Sequence, residues 1–233
     1  MLKRETFELR FFPIAVFFGH QGDLLDSLYR DPKTKKNNFE HWQWNQNQII
    51  LFDADKSRSF MCSYQNCAYT STNPPTANFA HDQILKYFRS VADFFGDRLD
   101  NIQRIGLRQT HIVPVKDFDE LAKRLANEFV KLDNPLIESL GGSVADLKLF
   151  PLVFKHGANK FQVTLGPTRK EELRPLWSED AEFPDQALFL DVDYYAIQPK
   201  VIEVERYVAE FLVKARETFN RVSSGVLPMA EGV

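Results

Sequence analysis

The stretch IQRIGLRQTHIV, residues 102–113, is a strand-like run that carries two arginines four apart with a glycine midway between them. A period of two sets Arg104, Gly106, Arg108 and Thr110 on one face and Ile105, Leu107, Gln109 and His111 on the other. Downstream, DFDELAKRLANEFV (117–130) reads as a helix with Asp117 as its N-cap and acids in its first turn. LDNPLIESLGG is a short helix closed by glycine, and VADLKLFPLVFKHGANKFQVTLG (144–166) gives two strands around a turn at HGANK. A charged connection over 167–186, containing Trp177, is too long to be a plain turn. ALFLDVDYYAI (187–197) is a further strand. Val201, Val204, Val208, Phe211, Leu212, Ala215 and Phe219 mark a final helix over 199–219. The tail SSGVLPMAEGV carries little patterning and is expected to be mobile.

Upstream the same succession holds. Residues 6–18, TFELRFFPIAVFF, alternate and then become continuously apolar, and Pro13 suggests an edge strand or a bulge. GDLLDSLYR (22–30) reads as a short helix, followed by the polar, basic loop DPKTKKNNFEHWQW. QIILFDAD (48–55) and RSFMCSYQNCAYTS (58–71) form a hairpin turning around Asp55–Ser57. STNPP then breaks the strand ahead of a helix over 77–97, whose Ile84, Leu85, Phe88, Val91, Ala92 and Phe95 make one apolar stripe. The fold class is α+β, with mainly antiparallel sheet backed by long helices. ELRFFPIAVFFGHQGDLLDSLY resembles GLRQTHIVPVKDFDELAKRLA: each gives a Leu-Arg strand, a proline and an Asp-x-Leu helix start. That suggests an internal duplication, with pseudo-symmetric halves 1–99 and 100–222 inside a single unit of 1–233.

IQRIGLRQTHIV, FDELAKRL, LFLDVDYYAI and ARETFNRVSSGVLPMAEG together resemble a sporadically distributed prokaryotic family of about this length. Its usual text is an Arg-Ile-Gly-Leu-Arg strand, a late Leu-Asp-x-Asp strand and a C-terminal helix closing on Phe. The likeness runs from about residue 48, with a looser match at FELRFF. It departs after Arg108, where Gln109, Thr110 and His111 replace the usual aromatic-plus-Asn continuation. The family has no settled activity, so the resemblance transfers no catalytic residue. A patchy distribution is typical of accessory or defence-linked genes.

Composition narrows the function classes. Aromatic residues make up 13% of the 233, with 21 Phe, which argues for a packed core rather than disorder. A net charge of −3 does not favour a nucleic-acid coat protein. No apolar run is long enough to span a bilayer. Lys3 and Arg4 precede FFPIAVFFG in a leader-like way, but Glu5, Glu8 and Arg10 interrupt it, and the alternation reads better as a strand. The expected setting is the cytoplasm. Cys62 and Cys67, five apart, fall on opposite faces of a straight strand and are expected to be buried, inert thiols.

The Arg104–Gly106–Arg108 face is the strongest candidate for chemistry. Paired guanidinium forks suit a phosphate or carboxylate, and the bare backbone at Gly106 admits a close approach. Asp191 and Asp193 share a face of the late strand, so the arginines are equally able to be neutralised internally, with an aromatic ring filling the glycine notch. In that case removing Arg108 costs about 3 to 5 kcal/mol, as for a buried pair deprived of one member. His111 is the histidine placed nearest this site. Asp191 with Asp193, or Asp53 with Asp55, is alternatively a carboxylate pair for metal or acid–base work, which further ligands would have to complete. The five histidines show no metal spacing, SLGGS lacks a phosphate-loop lysine, and no serine sits in a nucleophile elbow.

For partners, Lys35 and Lys36 stand in sequence before Trp42 and Trp44, and Trp177 lies in the long connection. Such residues serve a protein contact or, less favoured, single-stranded nucleic acid. The sequence therefore suggests a non-catalytic protein-binding or regulatory protein, without cofactor or metal and with a homo-oligomer open. The alternative is an enzyme or sensor holding an anionic nucleotide or phosphate at the arginine pair.

Overall fold

Nine antiparallel strands form one sheet in the order β2-β3-β4-β5-β1-β6-β9-β8-β7. They are β1 (Leu2–Phe11), β2 (His41–Trp44), β3 (Gln48–Phe52), β4 (Arg58–Ser63), β5 (Asn66–Thr72), β6 (Ile102–Pro114), β7 (Phe150–His156), β8 (Asn159–Arg169) and β9 (Gln186–Ile197). Among the described residues the α-helices are α1 (Gln21–Tyr29), α2 (Phe79–Phe95), α3 (Phe118–Leu125), the single turn α4 (Lys170–Leu173) and the long α5 (Val204–Val226). The computed structural model describes residues 1–30, 36–76, 78–99, 101–130, 148–174, 177, 182–200 and 203–233. The expected helix at LDNPLIESLGG and the start of the 144–166 stretch lie outside them.

Alternation explains the layering. Phe7, Leu9 and Phe11 of β1, Ile105 and Leu107 of β6, and Leu190, Val192 and Tyr194 of β9 all turn to one side. There they share a core with Leu24 and Leu28 of α1, Ile84, Phe88 and Val91 of α2, Leu121 and Leu125 of α3, and Phe211, Leu212 and Phe219 of α5. Among the described residues the opposite face has no such cover over its centre: Thr6, Glu8, Arg104, Asp193 and Tyr195 are half-buried there, and Arg10 and Arg108 are exposed. A sheet with one packed and one solvated face is the usual antiparallel solution. At one end of this face a smaller cluster, Ile112, Leu173, Trp177, Phe183, Ala187 and Phe189, pins down the long connection.

The chain runs outward from the middle of the sheet twice. β1 is followed by α1, then by β2 to β5 returning inward, then by α2; β6 is followed by α3, then by β7 to β9 returning inward, then by α5. β1 and β6 are neighbours, with Glu8 opposite Gly106.

Several expectations need correcting. β1 is central rather than an edge, and Pro13 falls beyond it; the register shift lies between Arg10 and Phe11. The apolar run after Pro13 is a short 3-10 helix, Ala15–Gly19. The strand expected over 58–71 is itself a hairpin, so Cys62 and Cys67 are register partners on one buried face instead of lying on opposite faces. HWQW, read as the exit of a loop, is strand β2. The tail is docked, not mobile. Phe219, Val222 and Val226 prolong the apolar row of α5; Ala230 and Val233 are buried, and Val233 accepts the Lys116 N–H at 2.9 Å. One local expectation matches what is seen: Asp117 caps α3 by accepting the Glu120 N–H at 2.9 Å. The helix read over 77–97 stops earlier, at Phe95, where Gly96 closes α2 at φ +56°.

Candidate functional site

Three strands build the centre of the open face. Glu8, Gly106 and Tyr195 lie in one row across β1, β6 and β9; Thr6, Arg108 and Asp193 form the next row, and Arg4, Thr110 and Asp191 the one after. Arg104 folds back over Gly106, so closely that a Cβ at 106 would sit 2.6 Å from its Nη1. From that seat Nη1 donates to Glu8 Oε2 at 2.9 Å, and Nη2 donates to both Asp193 oxygens at 2.8 and 3.1 Å. The guanidinium carbon is 5.3 Å from the centre of the Tyr195 ring. The glycine therefore makes room for an arginine of its own strand. The sequence suggested an aromatic ring in the notch; among the described residues the space is taken by the Arg104 guanidinium instead, and Tyr195 flanks that cation as a π face.

The remaining charges close the network. Arg10 Nε is 2.9 Å from Glu8 Oε1. Arg108 Nε donates to Asp191 Oδ1 at 2.7 Å, and the same oxygen accepts the Thr110 hydroxyl at 2.7 Å. Burial works against the Arg108 charge, but the hydrogen bond and charge of Asp191 hold its pKa above the ordinary arginine value. Asp193 titrates above the ordinary aspartate range because burial outweighs the pull of Arg104 and Arg108. Arg10, Arg104 and Arg108 are thus met one for one by Glu8, Asp193 and Asp191. Arg10 and Arg108 are the outlying members: about half of each side chain is exposed, against 22% for Arg104 and 7% for Asp191. The 3 to 5 kcal/mol expected from removing Arg108 applies to buried pairs, so a half-exposed one falls well short of it.

His111 does not belong to this site. It projects from the other face of β6, where it is 5% exposed, into a polar cluster buried beneath the helices. At its centre is Glu5, 1% exposed, which accepts from Gln109 Nε2 at 2.8 Å and Arg216 Nη2 at 3.0 Å, with Lys3 Nζ at 2.9 Å. Gln109 directs its amide N–H to Glu5, so its oxygen faces His111 Nε2 at 2.9 Å, and that nitrogen carries the proton. Nδ1 is buried without a hydrogen-bond partner among the described residues. Burial, then the Lys3 charge, push the His111 pKa down to about 4, against the opposing pull of Glu5. Burial and then Arg216 lower His81 in the same direction. Glu5 was legible only as a charge that broke a leader-like run. The overlooked signal is its parity: it shares the apolar face of Phe7 and Leu9.

Among the partner candidates, Lys35 lies outside the described residues and Lys36 is exposed. Trp42 and Trp44 are 47% and 52% exposed on the edge strand β2, with ring centres 6.3 Å apart and nearly perpendicular. Trp177 is 2% exposed, 4.2 Å from the Arg4 guanidinium and 6.3 Å from Phe183, so it cannot anchor a partner and instead holds the long connection down.

Nothing among the described residues gathers three or more metal-binding side chains. Asp53 is taken up by Arg58, whose Nε and Nη2 donate at 2.6 and 3.0 Å; Asp55 accepts the Ser57 N–H at 2.9 Å, and that bond lowers its pKa. Burial raises Cys67 to about 12 and Cys62 well above its ordinary value, so both thiols stay protonated. Compared with known proteins, the chain matches no family model and no curated sequence. Among the described residues, no helix is long and apolar enough to cross a membrane.

Proposed function

We propose that this is a non-catalytic protein-binding protein of the cytoplasm, in keeping with an accessory or defence-linked role, and that it recognises another protein molecule through the edge strand β2. One observation carries the proposal. Two tryptophans, the residues most enriched at the energetic centres of interfaces, stand half-exposed on four residues of strand whose outer edge pairs with no other strand among the described residues. The arginine face supports it indirectly, since its cations are already occupied by its own carboxylates. The repeated outward path of the chain supports descent from a duplicated half, which superposition of β1–α1 on β6–α3 tests. Cross-linking and affinity purification from the native host, with wild type beside a Trp42→Ala, Trp44→Ala variant, test the function. A specific partner lost from the variant, with unchanged circular dichroism, is the expected result; identical recovery with both proteins rejects it.

A second reading rests on Arg108, whose Nε alone bonds to Asp191 while half the side chain meets solvent. In it, the outer guanidinium nitrogens contact a phosphate. Arg108→Ala is expected to cost about 1 kcal/mol or less, as an exposed pair does. Arg104→Ala is expected to cost about 2 kcal/mol, because it strips charged hydrogen bonds from both Glu8 and Asp193. Denaturant melts check both values. Calorimetry with pyrophosphate decides the second reading: binding lost in Arg108→Ala puts it first, and no heat with wild type removes it.

A further inference from the structure

The two edges of the sheet are built differently. β7 carries Pro151 and Lys155, residues that natural proteins place on edge strands to prevent pairing with another chain. β2 carries neither. Its sequence is HWQW, and residues 41–48 contain no lysine, arginine, aspartate, glutamate or proline. Its shortness restricts a pairing to a few ladder bonds without forbidding it. An unguarded edge, flanked by half-exposed tryptophans, calls for a partner strand.

Resting on the reading of β2 as the recognition surface, we propose that the partner is a second copy of this chain, joined β2 to β2 across a two-fold axis perpendicular to the sheet. The argument is self-complementarity. An antiparallel pairing centred on Gln43 sets Gln43 opposite its own counterpart, and each Trp42 opposite the Trp44 of the second copy. Such an axis preserves the faces of the sheet, so all four indoles gather on the side where Trp42 and Trp44 already lie against Leu51 and Ile49 in register. Gln43 projects to the other side, and a carboxamide, with both donor and acceptor, is able to bond its own copy. His41 then faces Asn45. Glu40, the nearest charge, falls opposite Gln46 rather than opposite a second carboxylate. No like charges meet at the axis, which is the usual obstacle to isologous contact.

The extent of the contact sets its strength. Four strand residues a side, two of them tryptophans, bury less than the roughly 1,000 Å² expected of a stable biological interface, which makes the dimer a weak, reversible one.

Sedimentation velocity between about 1 and 200 µM, a span suited to a weak, transient contact, tests the proposal. Wild type is expected to pass from 27.1 kDa towards twice that mass. Gln43 is exposed, so its replacement leaves the fold intact. Gln43→Glu and Gln43→Lys each place like charges directly opposite and are expected to weaken association at least about fivefold. An equal mixture of the two variants is expected to form a mixed dimer, visible by native mass spectrometry. A wild type monomeric throughout, or a dimer indifferent to both charges, overturns the proposal. If wild type is monomeric while the tryptophan variant still loses a cellular partner, the copy is the wrong occupant and the recognition surface stands. If that partner is retained as well, both readings fall.

Discussion

Glu5→Leu is expected to destabilise the protein by about 3 to 5 kcal/mol, the cost of leaving a buried cation without its counter-charge. Glu5 is 1% exposed and receives Arg216 from the last helix, Lys3 from its own strand and Gln109 from β6. Lys3, whose side chain is 22% exposed, has some room to turn towards water, and Arg216, 16% exposed, has less. A loss of this size is about a fifth or more of the stability of an ordinary domain. It is read as a fall in the urea midpoint with an unchanged slope.

The double variant separates charge from shape. Arg216→Met in the Glu5→Leu background replaces the pair by apolar groups of similar volume, and most of the loss is expected to return. Additive losses would show instead that Glu5 acts through packing. A Glu5→Leu protein within about 1 kcal/mol of wild type would remove the ion pair from any part in holding α5 to the sheet.

Period-two alternation made the α+β class readable, because a strand with one packed face writes its orientation into the sequence. It also placed two arginines on one face of β6 and two aspartates on one face of β9. Register was what alternation could not supply. Arg108 lies directly opposite Asp193 yet bonds Asp191, while Arg104 reaches Asp193. The third carboxylate, Glu8, comes from a strand about a hundred residues earlier. His111 was put with the arginines by proximity along the chain, although its odd position already assigned it to the helix side. β2 escaped notice because four residues are too few to show a period, and its strand character comes from pairing with β3. The tail was misjudged because a row of Phe219, Val222 and Val226 is visible only once the helix is known to continue.

The stability of the protein is expected to fall as pH is lowered from about 7 to 5, and His111→Gln is expected to flatten that slope. The sign follows from the direction of the shift. His111 is held neutral in the fold, its pKa pushed from 6.5 to about 4 by burial and by Lys3. Between those values the unfolded chain binds a proton that the folded one refuses, so acid favours unfolding; the contribution is complete above 6.5 and gone once pH passes below about 4. At about 1.4 kcal/mol per unit, the whole interval is worth on the order of 3 kcal/mol. His81, lowered by burial and by Arg216, acts in the same sense. Glutamine keeps an amide beside the Gln109 oxygen but does not titrate, so the variant isolates the proton from the contact. Urea melts at half-unit steps between pH 7 and 5, above the range where ordinary carboxylates protonate, give the comparison. Parallel slopes for wild type and His111→Gln would assign the acid sensitivity to another group and leave the imidazole a packing element only.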